Sequence, residues 1–183
     1  MSKFCSECGS GNIEHKVPEG DQHRRAVCGN CGVIHYVNPK VVAGCLLTWE
    51  GKILLAKRSI EPRKGYWTLP AGFMELKEST AEAAARECWE EALATPENMS
   101  LMGITSLPHI GQVYAMYRGT LKNGEFGVGE ESAEVALFAP EDIPWKQLSF
   151  PVVHSTLKRY IRGDDNVFDE VIDRQTDWLT KGD

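Results

Sequence analysis

The residues that could do chemistry crowd into residues 72–94, which read GFMELKESTAEAAARECWEEALA. Gly72 is followed after five residues by Glu78, after seven more by Arg86 and Glu87, and after another two by Glu90 and Glu91. Ser79 or Thr80 can cap a helix here, and Ser79 with Glu82 has the capping-box spacing. Ala81, Ala84, Ala85, Cys88 and Ala92 then recur at three- and four-residue intervals, a narrow stripe of small side chains that lets a helix lie close on a sheet. Glu87, Glu90 and Glu91 stand at i, i+3 and i+4, so their carboxylates are expected on a second face, where like charges repel. A positive partner has to offset that repulsion. A hard divalent cation such as magnesium fits, because it takes oxygen ligands and binds a few carboxylates together with substrate phosphates. A merely solvated acidic face is the ordinary alternative; the fixed offsets of Gly72, Glu78 and Arg86 weigh against it.

A second set of ligand-type residues lies at the start of the chain. Cys5 and Cys8 have two residues between them, as do Cys28 and Cys31, and nineteen residues separate the pairs. Four thiolates at this spacing make a closed tetrahedral zinc site, and two Cys-x-x-Cys-Gly knuckles read as a zinc ribbon. A disulfide framework is the rival, but a first cysteine at residue five leaves no room for a secretory segment, so a cytoplasmic location is expected. A redox Cys-x-x-Cys pair normally occurs once, beside a βαβ pattern. His15, His23 and His35 are possible substitute ligands but are expected as surface or packing histidines, and Cys45 and Cys88 as buried, unreactive thiols. So small a ribbon cannot bury much of a core, and zinc would supply a large part of its folding free energy. Lys16, His23, Arg24 and Arg25 form a short basic patch. The whole chain carries a net charge of −6, which argues against a general nucleic-acid binder. A structural or dimer-forming role for the ribbon is the expectation.

The elements that must position the acidic helix are legible on both sides of it. VVAGCLLTWEGKILLAKRS reads as two strands joined at Glu50-Gly51. The prolines and glycines of EPRKGYWTLPAGF mark a loop, with Trp67 and Leu69 buried beneath it. Lys57, Arg58, Arg63 and Lys64 are a local cluster of cations suited to a phosphorylated ligand, Arg58 and Arg63 above all. ENMSLMGITSLPHIGQVYAMYRGTL suggests two antiparallel strands around Pro108, with Gln112 and Tyr114 on one face of the second, where they could contact a base or ribose. A further strand is expected near Val135 to Phe138, and FPVVHSTLKRYI reads as a helix packed on the sheet.

The acidic segment resembles the Nudix box of the Nudix hydrolases, which cleave a nucleoside diphosphate linked to another group. Gly72, Glu78, Arg86, Glu87, Glu90 and Glu91 each stand at a motif position, and Cys88 fills the apolar slot. The family's late glycine is replaced by Leu93, which is expected to extend or reshape the helix end, with Pro96 as the stop. The resemblance implies an α/β fold: an α/β/α sandwich around a mixed sheet, preceded by a zinc ribbon. It implies magnesium or manganese on Glu87, Glu90 and Glu91, with Glu78 as an outer ligand or loop anchor. Arg86 would orient the glutamates, and Gly72 would let the backbone turn tightly. A glutamate shortly before the Val135 strand would be the catalytic base; Glu134 fits that placement best, with Glu130 and Glu131 as competitors. Ribbon and box in this order are similar to the group that includes NADH diphosphatases and ADP-ribose or FAD diphosphatases. The Ser-Gln-Pro-Trp signature of the NADH enzymes is missing, whereas LPHIGQVY and GEESAEV look like the ADP-ribose/FAD branch. Hydrolysis of such a nucleotide to AMP is therefore expected, and NADH diphosphatase, RNA-cap hydrolase and non-catalytic binding module are the alternatives. Family analogy adds a homodimer.

With 183 residues, 42% apolar and 25% charged, the chain reads as one main domain plus a small one. No apolar run approaches a membrane span. The expected divisions are residues 1–37 for the ribbon, 38–162 for the hydrolase domain and 163–183 for an acidic extension. That segment would dock through Phe168, Ile172, Trp178 and Leu179 as a short helix or an extension, or stay partly mobile.

Overall fold

A computed structural model describes residues 3–173. It divides into two compact units, Met1–Asn38 and Pro39–Asp183. Among the described residues no helix is long and apolar enough to cross a membrane.

The first unit is a three-stranded antiparallel sheet of β1 (Ile13–Lys16), β2 (Arg25–Cys28) and β3 (Ile34–His35). Its two knuckles bring Cys5, Cys8, Cys28 and Cys31 together, with all four sulfurs within 4.8 Å of one another. The Cys5–Cys31 and Cys8–Cys28 sulfur pairs are each 3.6 Å apart. A disulfide needs about 2.05 Å, whereas four Zn–S bonds of about 2.3 Å arranged tetrahedrally place sulfurs roughly 3.8 Å apart. These are the dimensions of a closed zinc site. The backbone N–H of Cys31 above all, helped by that of Asn30, holds the Cys28 thiol below the ordinary thiol range, whereas the Cys8 and Cys31 thiols are raised.

The second unit is built on a mixed sheet in the order β10-β5-β4-β9-β8-β11. Its long strands are β4 (Lys40–Trp49), β5 (Lys52–Arg58), β8 (Pro96–Leu107) and β9 (Gln112–Leu121); β10 (Ser132–Phe138) and β11 (Phe168–Val171) form the edges. The short β6 (Trp67–Thr68) adds to β5, and β7 (Ala71–Phe73) adds to β4. The β4–β9 and β8–β11 pairs are parallel and the others antiparallel. Glu50 and Gly51 take φ of 47° and 78° in the β4–β5 turn, the left-handed pair that a two-residue hairpin requires.

One helix covers each face. On one side α1 (Thr80–Ala92) sets Ala83, Ala84, Cys88 and Ala92 against Ala43, Cys45, Leu47 and Leu54. On the other α2 (Pro151–Ile161) sets Val152, Val153 and Leu157 against Leu46, Ile53, Leu55 and Met116. This is the expected α/β/α sandwich. Cys45 and Cys88 are fully buried.

Two details refine the sequence reading. The buried stripe of α1 is Ala83, Ala84, Glu87, Cys88, Glu91 and Ala92, so Ala81 and Ala85 flank it and two acids fall within it. The C-terminal segment docks as an extended strand, β11, and not as a helix, the other form that the sequence reading left open. Phe168 buries its ring, and the Ile172 N–H reaches the Ser106 carbonyl at 2.9 Å; Trp178 and Leu179 lie outside the described residues. Glu170 fixes this strand. Its carboxylate accepts from Thr105 Oγ1 at 2.9 Å and Ser155 Oγ at 2.8 Å, and pairs with Arg159 at 3.2 Å.

Two tests follow from these contacts. Glu170→Ala orphans the fully buried Thr105 hydroxyl and should cost about 2 kcal/mol in urea unfolding. Purified protein should carry one zinc per chain by elemental analysis, and Cys28→Ser should lose it and open residues 3–37 to limited proteolysis.

Candidate active site

α1 begins as the sequence requires. Ser79 is the N-cap, its hydroxyl accepts from the Glu82 N–H at 3.2 Å, and the Glu82 carboxylate accepts from the Ser79 N–H at 2.8 Å. The helix ends at Ala92, with Leu93 in the left-handed conformation at φ 46°. The expected extension towards Pro96 does not occur. The Ala94 N–H returns to the Cys88 carbonyl at 3.1 Å, closing the end as a glycine would, and Pro96 starts β8.

Arg86 organises the acids. All five of its N–H donors are engaged: two on Glu78 (3.1 and 2.8 Å), one each on Glu87 (2.7 Å) and Glu90 (2.8 Å), and one on the Phe73 carbonyl (3.1 Å). Glu78 also accepts the Glu75 N–H at 2.6 Å. With both oxygens hydrogen-bonded, it anchors the loop ahead of α1 and does not border the cavity. Hydrogen bonding from Arg86 holds the Glu78 carboxyl below its usual range.

Gly72 has a different physical basis from the one expected. It lies in β7 opposite Ala43, and a Cβ there would overlap the Glu87 carboxylate. Close approach, not a tight turn, is what demands glycine at this position.

The glutamates are not equivalent. Glu87 and Glu91 are buried, at 8% and 6% exposure, whereas the Glu90 side chain is 54% exposed. Burial raises the Glu87 carboxyl, and hydrogen bonding from Arg86 opposes it. Burial pushes Glu91 up to about 8, against the Ala71 N–H at 3.2 Å, and the negative charges of Glu87 and Glu131 add to the rise while Arg58 opposes it. Two buried, under-neutralised carboxylates opening on a cavity are a donor set that suits a hard divalent cation. Among the described residues, only the four cysteines already have their ligand atoms gathered as closely as a bound ion would hold them.

The cavity has a volume of about 1100 Å³ and brings most of the expected residues together: Arg58, Arg63, Gly72, Arg86, Glu87, Glu90, Glu91, Gln112 and Tyr114 all line it. Arg58 is held by the Pro62 carbonyl at 2.8 Å and lies 5.3 Å over the Phe150 ring. Burial raises the Tyr114 phenol, and the charge of Arg58 opposes it.

Glu134 is not brought in. It shares the α2 side of edge strand β10 with Ala136 and Phe138, away from α1, and pairs with Lys57 at 3.3 Å. Glu130 and Glu131 line the cavity instead. Their loop is clasped to the end of α1: the Gly127 N–H donates to the Ala92 carbonyl at 2.7 Å, and the Gly129 N–H to the Glu91 carbonyl at 3.1 Å. A Cβ on Gly129 would overlap the Glu90 carbonyl oxygen. Trp89 and Val128, which the sequence reading did not single out, and Leu93, which it placed only at the helix end, also border the cavity. The i+3 and i+7 positions of Trp89 and Leu93 relative to Arg86 were the available signal.

Comparison with known proteins agrees with this architecture. The NUDIX domain model matches residues 38–158, and the Nudix N-terminal zinc-ribbon model matches residues 3–37. The chain belongs to the Nudix hydrolase family. It is similar to an ADP-ribose pyrophosphatase of Methanocaldococcus jannaschii, 32% identical over 60% of this chain and 67% of the relative. It is also similar to an NAD-capped RNA hydrolase, NudC, of Haemophilus influenzae, 26% identical over 85% of this chain; the match spans 60% of that relative's length. A crystal structure of a NUDIX hydrolase from Nitrosomonas europaea superposes with a TM-score of 0.88 at 44% identity, covering 94% of this chain and 100% of that one.

The burial of Glu91 has a measurable consequence. Its folded value lies above the ordinary 4.5, so the stability of the protonated form is complete below that pH and is lost as pH rises through about 8. Glu91→Gln keeps an acceptor for the Ala71 N–H without the buried charge. In buffer without added divalent ions it should raise the melting temperature at pH 8.5 by about 4 °C or more, with the gain vanishing below pH 5.

Proposed function

We propose that this chain hydrolyses the diphosphate of a nucleoside diphosphate derivative such as ADP-ribose or FAD, releasing AMP, with magnesium or manganese as the divalent ion. The observation that carries this reading is the pair of buried carboxylates, Glu87 and Glu91, opening on the same cavity as Arg58 and Arg63. One surface favours cations, the other favours phosphate oxygens, and a metal-bound diphosphate satisfies both. The M. jannaschii relative's activity supports the substrate class.

Glu87, Glu90 and Glu91 would hold the divalent ions, which supply charge neutralisation at the phosphate oxygens and a more acidic bound water. Arg86 fixes the side chains of Glu87 and Glu90 by direct hydrogen bonds, so the donor set is oriented before ligand arrives. Arg58 and Arg63 offer guanidinium donors to the phosphates, and Gln112 and Tyr114 offer polar contacts to base or ribose. Glu131 takes the proton of the attacking water. Its charge already acts on Glu87 and Glu91, and the Gly129 clasp holds its loop at the helix end. Water oxygen bonds to one phosphorus, the bridging P–O bond breaks, and two monophosphates leave. The zinc ribbon takes a structural role, with a dimer contact through it as the corollary.

A second reading, hydrolysis of NAD-capped RNA, is favoured by the NudC relatives. A preference for NAD-capped RNA over free dinucleotide would establish it.

The test is AMP release from ADP-ribose, FAD and NADH with magnesium or manganese, quantified by chromatography. Glu90→Gln and Glu91→Gln should each lower kcat by about 10²-fold or more. Glu131→Gln should lower it by about 10²-fold, whereas Glu134→Gln should stay within about twofold of wild type. No AMP from any of the three nucleotides, or undiminished release by Glu90→Gln, would defeat the enzyme reading.

A further inference from the structure

The identity of the group beyond the diphosphate is written on the open face of α1, and its assignment rests on the diphosphate-hydrolase reading above. Arg86, Trp89, Glu90 and Leu93 recur at i, i+3, i+4 and i+7, and all four border the cavity. The N-terminal part of this face is charged, with Arg86 and Glu90 joined at 2.8 Å. The C-terminal part is apolar, with Trp89 56% and Leu93 42% exposed. Val128, also exposed, continues that surface because the Gly127 and Gly129 N–H groups clamp its loop onto the last carbonyls of the helix. A contiguous apolar surface of this kind beside a polar site marks a ligand contact more often than chance exposure.

A second aromatic wall of the cavity stands on the α2 side. Tyr114 and Phe150 pack with the α2-side core, and Arg58 covers the Phe150 ring. The buried carboxylates Glu87 and Glu91 belong to the same helix as Trp89, within one turn of it. The cavity thus carries aromatic side chains on both its α1 and its α2 side.

We propose that Trp89, with Leu93 and Val128, stacks the planar ring of the group beyond the diphosphate, so that preferred substrates carry an aromatic ring at both ends. FAD meets that description; ADP-ribose, with a sugar at its far end, does not.

The experiment compares FAD with ADP-ribose, which share the AMP half. Trp89→Ala should lower the ratio of kcat/KM for FAD to that for ADP-ribose about tenfold or more, as loss of a stacked ring does, and Trp89→Phe should restore most of it. An unchanged ratio in Trp89→Ala overturns the proposal. So does a shift from dimer to monomer by light scattering in Trp89→Ala with the ratio unchanged, which would assign this face to a second copy of the chain. Equilibrium dialysis of FAD against wild type and Trp89→Ala, with calcium in place of magnesium, reads the ring contact without turnover. Weaker FAD binding by Trp89→Ala with no hydrolysis by wild type would sink the hydrolase reading and leave the ring assignment standing; equal binding would sink the ring assignment alone.

Discussion

The Arg86 guanidinium is the interaction on which the site depends. Four glutamates converge near it, and in the absence of a counter-charge their mutual repulsion would splay the helix face outward. Arg86 spends all five N–H donors on Glu78, Glu87, Glu90 and the Phe73 carbonyl, which ties the loop before α1, strand β7 and the helix into one piece. A lysine could not do this, since its three donors radiate from a single point and lack the planar fork. One positive charge against Glu78, Glu87 and Glu90 still leaves an anionic excess. An excess of that sign is the electrostatic condition under which a divalent cation binds carboxylates.

Small residues let this arrangement reach its density. Gly72 admits the Glu87 carboxylate against β7, and the alanine face of α1 lets the helix sit low over Ala43 and Cys45. Gly129 does the same for the loop that delivers Glu131. Each replaces side-chain volume with backbone proximity, so carboxylates of the helix and of the clasped loop meet at one cavity beside β7. The α2 side of the sheet is packed by large aliphatic and aromatic residues instead. It supplies stiffness, and through Tyr114 and Phe150 it supplies the far wall of the cavity.

Much of this was legible in the sequence. The capping box, the two hairpin strands, the burial of Trp67 and Leu69, the pairing around Pro108 and the four-cysteine cluster all rest on local patterns of spacing, and each is where the pattern put it. What the pattern could not resolve depended on tertiary contacts. The sequence favoured Glu134 over Glu130 and Glu131; the pleat of β10 and the backbone clasp onto α1 separate a carboxylate facing the cavity from one paired with Lys57. Gly72 announces itself as glycine, yet its reason is a carboxylate from a residue fifteen positions later. The C-terminal strand was illegible because β11 takes its register from parallel pairing with β8 and from Glu170 bridging Thr105 and Ser155, contacts that no local periodicity encodes.

Leu93 shows how these levels meet. A left-handed residue other than glycine costs about 1 kcal/mol, and a helix that simply needed to end would have kept glycine there. The end is held by two bonds from outside it, from Gly127 to Ala92 and from Gly129 to Glu91, which together can offset a strain of that size. The side chain retained by this compromise packs against the Gly127 backbone and faces the cavity mouth. The conformation that terminates α1 therefore also fixes the Glu131 loop and sets an apolar surface beside the carboxylates, so a change at the helix end would be felt in the acid cluster and at the cavity mouth together.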